Sequence, residues 1–228
     1  MLSFLNVSKE YLLDKEHSIT PVRNLNLEIK EGEFVVITGR SGTGKTTLLN
    51  LAAGMVKPTT GSVKIDDVNL ANMTDKQISA LRSKKIGFIF QFPSLLPSLS
   101  IRDNVSLPGL FRIRNGNGSN NSFERAAMLI DKFGLKEKLD VYPKHLSAGE
   151  QKRIVIARSL INEPQLILAD EPTSDLDNRT EKEIMNILLE INARGVTFLI
   201  VTHSLDLITF ATRAFEMENG YLKEIKTR

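Results

Sequence analysis

The chain has no cysteine among its 228 residues, which excludes disulfides and thiolate metal sites and fits a reducing compartment. It also lacks a long apolar run. The stretch Val196-Thr-Phe-Leu-Ile-Val201 falls far short of the ~20 residues a membrane-spanning helix needs, and no N-terminal segment has the layout of a secretion signal. Any membrane connection is therefore expected to come through a partner. Charge of one sign is equally scarce. The 30 basic and 27 acidic residues leave a net +3, too small and too evenly spread for a nucleic-acid footprint, so no nucleic-acid partner is expected. Neither an internal repeat nor a heptad insert is present. Compositional bias is confined to Arg114–Ser122, rich in turn formers and read as an exposed, mobile loop between helical regions. What is present in ordinary measure is apolar content, at 41%, enough for one large domain or a core with a smaller lobe.

Against that background one segment carries specific chemistry. Gly39-Arg40-Ser41-Gly42-Thr43-Gly44-Lys45-Thr46 follows the strand-like run Phe34-Val-Val-Ile-Thr38 and precedes the helix-like Thr47-Leu-Leu-Asn-Leu-Ala-Ala53. This is a phosphate-binding P-loop of the G-x-x-x-x-G-K-[ST] kind, in the strand–loop–helix context its mechanism needs. Its glycines let successive N–H groups point into one concavity, and the helix that follows adds its positive end. Lys45 can reach the β- and γ-phosphates, and Thr46 offers a hydroxyl oxygen to Mg²⁺, a hard cation that prefers oxygen. The P-loop alone does not choose among kinases, GTPases and motor ATPases.

A second site is written in Leu166-Ile-Leu-Ala-Asp170-Glu171, a continuous apolar run between Pro164 and Pro172 that ends in two acids. The pattern is that of a buried parallel strand. In doubly wound α/β sheets ligands sit at the carboxyl ends of strands, so these acids are expected where the P-loop opens. Asp170 is placed to join the Mg²⁺ shell and Glu171 to orient an attacking water as general base. Leu146-Ser147-Ala148-Gly149-Glu150-Gln151 then leads into an apolar helix pattern, with Ser147 and Glu150 spaced as a capping box. Such a helix start is suited to an anion.

In this order the motifs resemble those of the ABC-transporter ATPases, along essentially the whole chain. Ser147–Gln151 resembles their signature motif, Tyr11 stands where the adenine-stacking aromatic does, and Gln91 matches the Q-loop glutamine. Ser174-Asp175-Leu176-Asp177 matches the D-loop, and His203, after Thr197-Phe-Leu-Ile-Val-Thr202, matches the switch histidine. His17 and His145 are given no role.

The resemblance implies an α/β P-loop NTPase with a mostly parallel core sheet, an N-terminal antiparallel β subdomain and a helical subdomain. It implies one domain, with residues 1–91 and 160–228 forming the core and 92–159 the helical part. It also implies an ATPase using ATP and Mg²⁺. Gly39, Ser41, Gly42, Thr43, Gly44, Lys45, Thr46 and Thr47 would hold the phosphates, Tyr11 the adenine, and Thr46, Gln91 and Asp170 the metal, with Glu171, Gln91 and His203 catalytic. Ser147, Gly149 and Asp177 would complete the site of a second copy, or of a homologous ATPase, in a head-to-tail dimer. Separate transmembrane permease subunits would tether the chain to the inner face of the cell membrane.

Three departures stand out: Ala148 and Glu150 replace the usual glycine and glutamine of the signature, and Asp175 a frequent alanine. The added methyl and the added negative charge near a polyanion point to weaker affinity or a slower cycle. Gln91–Pro108, Gly54–Val63 and Tyr142-Pro143-x-x-Leu146 resemble the lipoprotein-releasing and macrolide-exporter group. Export or lipoprotein extraction is therefore the expected use; the alternative is a coupling module of a cell-division or peptide-sensing complex. Residues from Phe92 to Arg125 are expected to meet the membrane partner, with Phe92, Leu95, Leu96 and Leu99 either exposed or packed within the lobe.

Overall fold

Residues 1–14, 17–111 and 118–226 are described by a computed structural model of the chain. Strands β1 (Leu2–Leu12) and β2 (Ser18–Ile29) pair antiparallel, β3 (Phe34–Thr38) departs to a second sheet, and helix α1 (Lys45–Ala52) follows it. Then β4 (Thr60–Ile65) and β5 (Val68–Asn69) return to the first sheet, whose order is β2-β1-β4-β5. Next come α2 (Asp75–Lys85), β6 (Ile86–Ile89), α3 (Ile101–Leu110), α4 (Gly118–Lys132) and α5 (Ala148–Ser159). The chain continues through β7 (Leu166–Asp170), α6 (Asn178–Asn192), β8 (Thr197–Thr202), β9 (Arg213–Glu218) and β10 (Tyr221–Ile225). The second sheet has the order β10-β9-β3-β8-β7-β6, parallel except for the β9–β10 pair.

Strands β3, β7 and β8 are buried along their whole length because both faces of the sheet are covered. Alternate residues divide between two cores, as a period of two requires. Phe34, Val36, Ile167 and Phe198 face a core shared with α3, α4, α5 and α6, while Val35, Ile37, Leu168 and Leu199 face one shared with α1 and the antiparallel sheet. The rings of Phe34 and Phe198 stack at 5.0 Å in the first.

Parallel register then fixes the site. Thr38 pairs with Thr202, Asp170 with Val201 and Ile89 with Ala169, so β3, β6, β7 and β8 end at one edge.

One expectation is corrected. Residues 118–122 of the supposed loop Arg114–Ser122 are the opening turns of α4, and 114–117 lie outside the described residues. Ser and Asn are as much helix starters as turn formers, and Ala126, Ile130 and Phe133 anchor this helix in the core. The segment after β6 divides as well: Phe92 and Leu96 are exposed, Leu95 packs on the core and Leu99 is half-buried.

Candidate functional site

The turn from β3 into α1 depends on Gly44, whose φ is +106° and where a Cβ atom would lie 1.9 Å from the Pro21 carbonyl oxygen. Neither the dihedral nor the space admits a side chain. The loop borders a cleft of about 690 Å³. Ser41, Gly42, Gly44, Lys45, Thr46 and Thr47 line one wall, Asp170, Glu171, Gln91 and His203 the other, and Tyr11 the rim. Gly39 and Thr43 do not line it: Thr43 Oγ1 donates to the Arg40 carbonyl at 2.9 Å, fastening the loop from behind.

Charge at the base of the cleft is dense and buried: Lys45, Asp170 and Glu171 are each at most 8% exposed. Lys45 is buried, and its ammonium donates to the carbonyls of Gly39 (2.7 Å) and Arg40 (2.9 Å). Burial lowers its pKa, against the pull of Glu171 and Asp170. Asp170 is raised by burial and secondarily by Glu171, while the Thr46 hydroxyl, donating to its Oδ2 at 2.9 Å, works the other way. Two hard oxygens from Thr46 and Asp170 thus stand side by side, with Gln91 on the wall. One carboxylate and one hydroxyl make no all-protein cage, but they fit Mg²⁺, which takes its other ligands from phosphate and water.

Glu171 sits in the left-handed region at φ +47°, a conformation that costs a non-glycine residue roughly 1–3 kcal/mol and so must be held by its surroundings. Its Oε1 is hydrogen-bonded to His203 Nδ1 at 2.9 Å, and its Oε2 accepts from Thr202 Oγ1 at 2.9 Å. Both carboxylate oxygens are therefore aimed, and His203 itself remains mostly exposed on the cleft wall. At the rim, the Lys9 ammonium lies 4.9 Å from the centroid of the Tyr11 ring.

Ser147, Gly149 and Asp177 form a separate, outward cluster that the cleft does not include. Ser147 caps α5 by accepting from the Glu150 amide, and Glu150 Oε2 accepts from the Ser147 amide at 2.9 Å and hydroxyl at 3.1 Å. The capping box is thus formed as its spacing predicts. Gly149 abuts α6, since a Cβ there would meet Thr180 Cγ2 at 2.8 Å. Asp177 caps α6, and the Thr180 hydroxyl and amide bonds, with that of Arg179, hold its carboxylate below the usual range. The charge of Glu150 is also answered locally: Lys138 donates to its Oε1 and, with the Ser147 amide, lowers its pKa.

Three contributors escaped sequence reasoning. Thr202 had a faint signal, as a hydroxyl ending an apolar strand, and Lys152 another, as a charge on the buried face of α5. Lys138 had none. Beside the cleft lies a second groove of about 460 Å³ lined by Met55, Phe88, Phe90, Leu107, Phe111 and Arg158, among others. Phe92 and Phe111, large apolar side chains near this groove in sequence, are 70% and 74% exposed.

Residues 22–174 match the ABC transporter family. The lipoprotein-releasing system ATP-binding protein LolD of Buchnera aphidicola subsp. Schizaphis graminum is 40% identical over 223 residues, spanning 97% of this chain and 96% of that one. The macrolide export ATP-binding/permease protein MacB of Rhodopirellula baltica is 37% identical over 225 residues, which are 98% of this chain but 33% of that longer protein. The dimeric structure of the ATP-binding cassette MJ0796, bound to ADP and phosphate after hydrolysis, superposes with a TM-score of 0.92 at 38% identity, covering 100% of this chain and 99% of that one.

Proposed function

The chain belongs to the ABC transporter family, and from that premise we propose how its ATP-hydrolysing cassette is assembled, activated and coupled. ATP binds in the cleft, with the loop amides and Lys45 on the phosphates and the base stacked on Tyr11. Lys45 exchanges the Gly39 and Arg40 carbonyls for phosphate oxygens as the nucleotide enters. Thr46, Asp170 and Gln91 hold Mg²⁺, which when bound neutralises phosphate charge. Glu171, fixed by Thr202 and His203, accepts a proton from the attacking water, an effect worth about 10²–10⁴ in rate. His203 meets the γ-phosphate from the same wall.

The observation that carries the dimer is the separation of the two clusters. Ser147 and Gly149 begin a capped helix whose free amides suit an anion, yet they are absent from the cleft of their own chain. A second copy, turned head to tail, brings them to the γ-phosphate, and Asp177 to the interface. Loss of that phosphate then releases the signature helix, so opening and closing is the mechanical output.

The aromatic groove beside the Gln91 segment receives a segment of a membrane permease, which confers peripheral attachment on a chain with no membrane-crossing helix among its described residues. Likeness to LolD and MacB supports export or lipoprotein release as the work done. In the test, Glu171→Gln protein is run on gel filtration with saturating ATP. It is expected to bind ATP, fail to hydrolyse it and elute as a dimer; a monomer under those conditions refutes the shared site.

A further inference from the structure

Helix α5 presents Lys152 on the same face as Val155, Ile156 and Ser159, all buried. A lysine only 4% exposed is costly, because stripping water from an ammonium loses several kcal/mol unless its hydrogens are re-bonded. Here they find the backbone carbonyls of two site segments, Gln91 O at 2.6 Å and Glu171 O at 3.1 Å. Burial lowers the pKa of Lys152, while Asp175, Glu171 and Asp170 favour the ammonium form. The Glu171 carbonyl also accepts from the Ser174 amide (3.3 Å) and hydroxyl (3.1 Å), so three donors converge on the residue with the strained dihedral.

We propose that Lys152 is a positioning residue of the ATPase site, a clamp that ties the signature helix to the Gln91 segment and the Glu171 turn. The inference rests on the roles given above to Glu171 and Gln91. Since Lys152 lies a little over one turn from Ser147, a shift of the signature helix displaces both carbonyls together. The carboxylate is thereby aimed correctly in one position of that helix, and Gln91 moves with it. Lys152 is not among the residues that line the cleft.

The test compares turnover, ATP affinity and thermal unfolding of the full chain in Lys152→Met and Lys152→Gln. Methionine keeps the length and loses every donor; glutamine keeps a donor for one carbonyl. The expected result is a kcat at least about tenfold lower in Lys152→Met with ATP affinity within about twofold, and partial recovery of kcat in Lys152→Gln. The clamp is overturned if Lys152→Met keeps kcat within about twofold, or if turnover, affinity and folded fraction fall in parallel in both variants. Glu171→Gln measured alongside separates the two claims. If it still hydrolyses ATP the site reading fails, whereas if it does not and Lys152→Met does, only the clamp fails.

Discussion

Thr202→Val isolates the anchor of Glu171, the carboxylate proposed as general base. Thr202 is 1% exposed, and valine replaces its hydroxyl by a methyl of nearly the same volume, so neither a cavity nor overpacking confuses the result. Two hydrogen bonds are lost: the one to Glu171 Oε2 at 2.9 Å, and the one Oγ1 accepts from the Ser204 amide at 3.0 Å. A buried bond to a charged group contributes about 1.5–3 kcal/mol, and Glu171, only 7% exposed, leaves the orphaned oxygen little access to a replacement donor. At about 2–4 °C per kcal/mol for a domain of this size, the melting temperature should fall by roughly 3–12 °C. Turnover should fall as well, because Glu171 keeps only its His203 bond and can rotate off the water. Calorimetry and steady-state ATPase assays are run on Thr202→Val and Thr202→Ser, the serine keeping the hydroxyl and most of the turnover. The reasoning is refuted if valine melts within about 1 °C of the parent at unchanged kcat, or if serine damages kcat as much as valine does.

Asp170→Asn is expected to raise the melting temperature of the nucleotide-free protein, since burial and Glu171 both disfavour this carboxylate's charge. A raised folded pKa means that Asp170 costs stability as pH climbs from the ordinary carboxylate range through its own value, so the variant should flatten that part of a calorimetric pH profile while losing stabilisation by ATP with Mg²⁺. A lower melting temperature would count against it. Glu150 has the opposite sign: its depressed folded pKa gives stability present above the ordinary carboxylate range and lost as pH falls through the depressed value. Lys138→Ala should move that loss to higher pH and weaken ATP-dependent dimerisation of the Glu171→Gln protein. The pair is partly exposed, so the stability effect is held to about 0.3–1 kcal/mol, and an unchanged pH profile with unchanged dimerisation would remove Lys138 from the signature helix's support.

Local chemistry determined much of this protein without help from its fold. The P-loop was legible because a left-handed turn leaves only glycine at Gly44, and the capping box because Ser147 and Glu150 are one helical turn apart. β3, β7 and β8 announced themselves as unbroken apolar runs, which only doubly covered strands require. Residues 118–122 misled, because the same Ser and Asn side chains serve loops and helix starts and only packing of α4 chose between them.

Tertiary structure alone decided the rest. Sheet order made Asp170, Thr202 and the end of β3 neighbours, a matter of pairing between segments far apart in sequence. It also decided how buried polar groups are satisfied: Lys152 by two carbonyls, Glu171 by Thr202 and His203, Glu150 by Lys138. No periodicity encodes such partners, since each depends on what three-dimensional packing leaves within about 3 Å of a donor. The same packing left Ser147 out of the cleft that the P-loop borders, and so separated one list of motifs into two clusters.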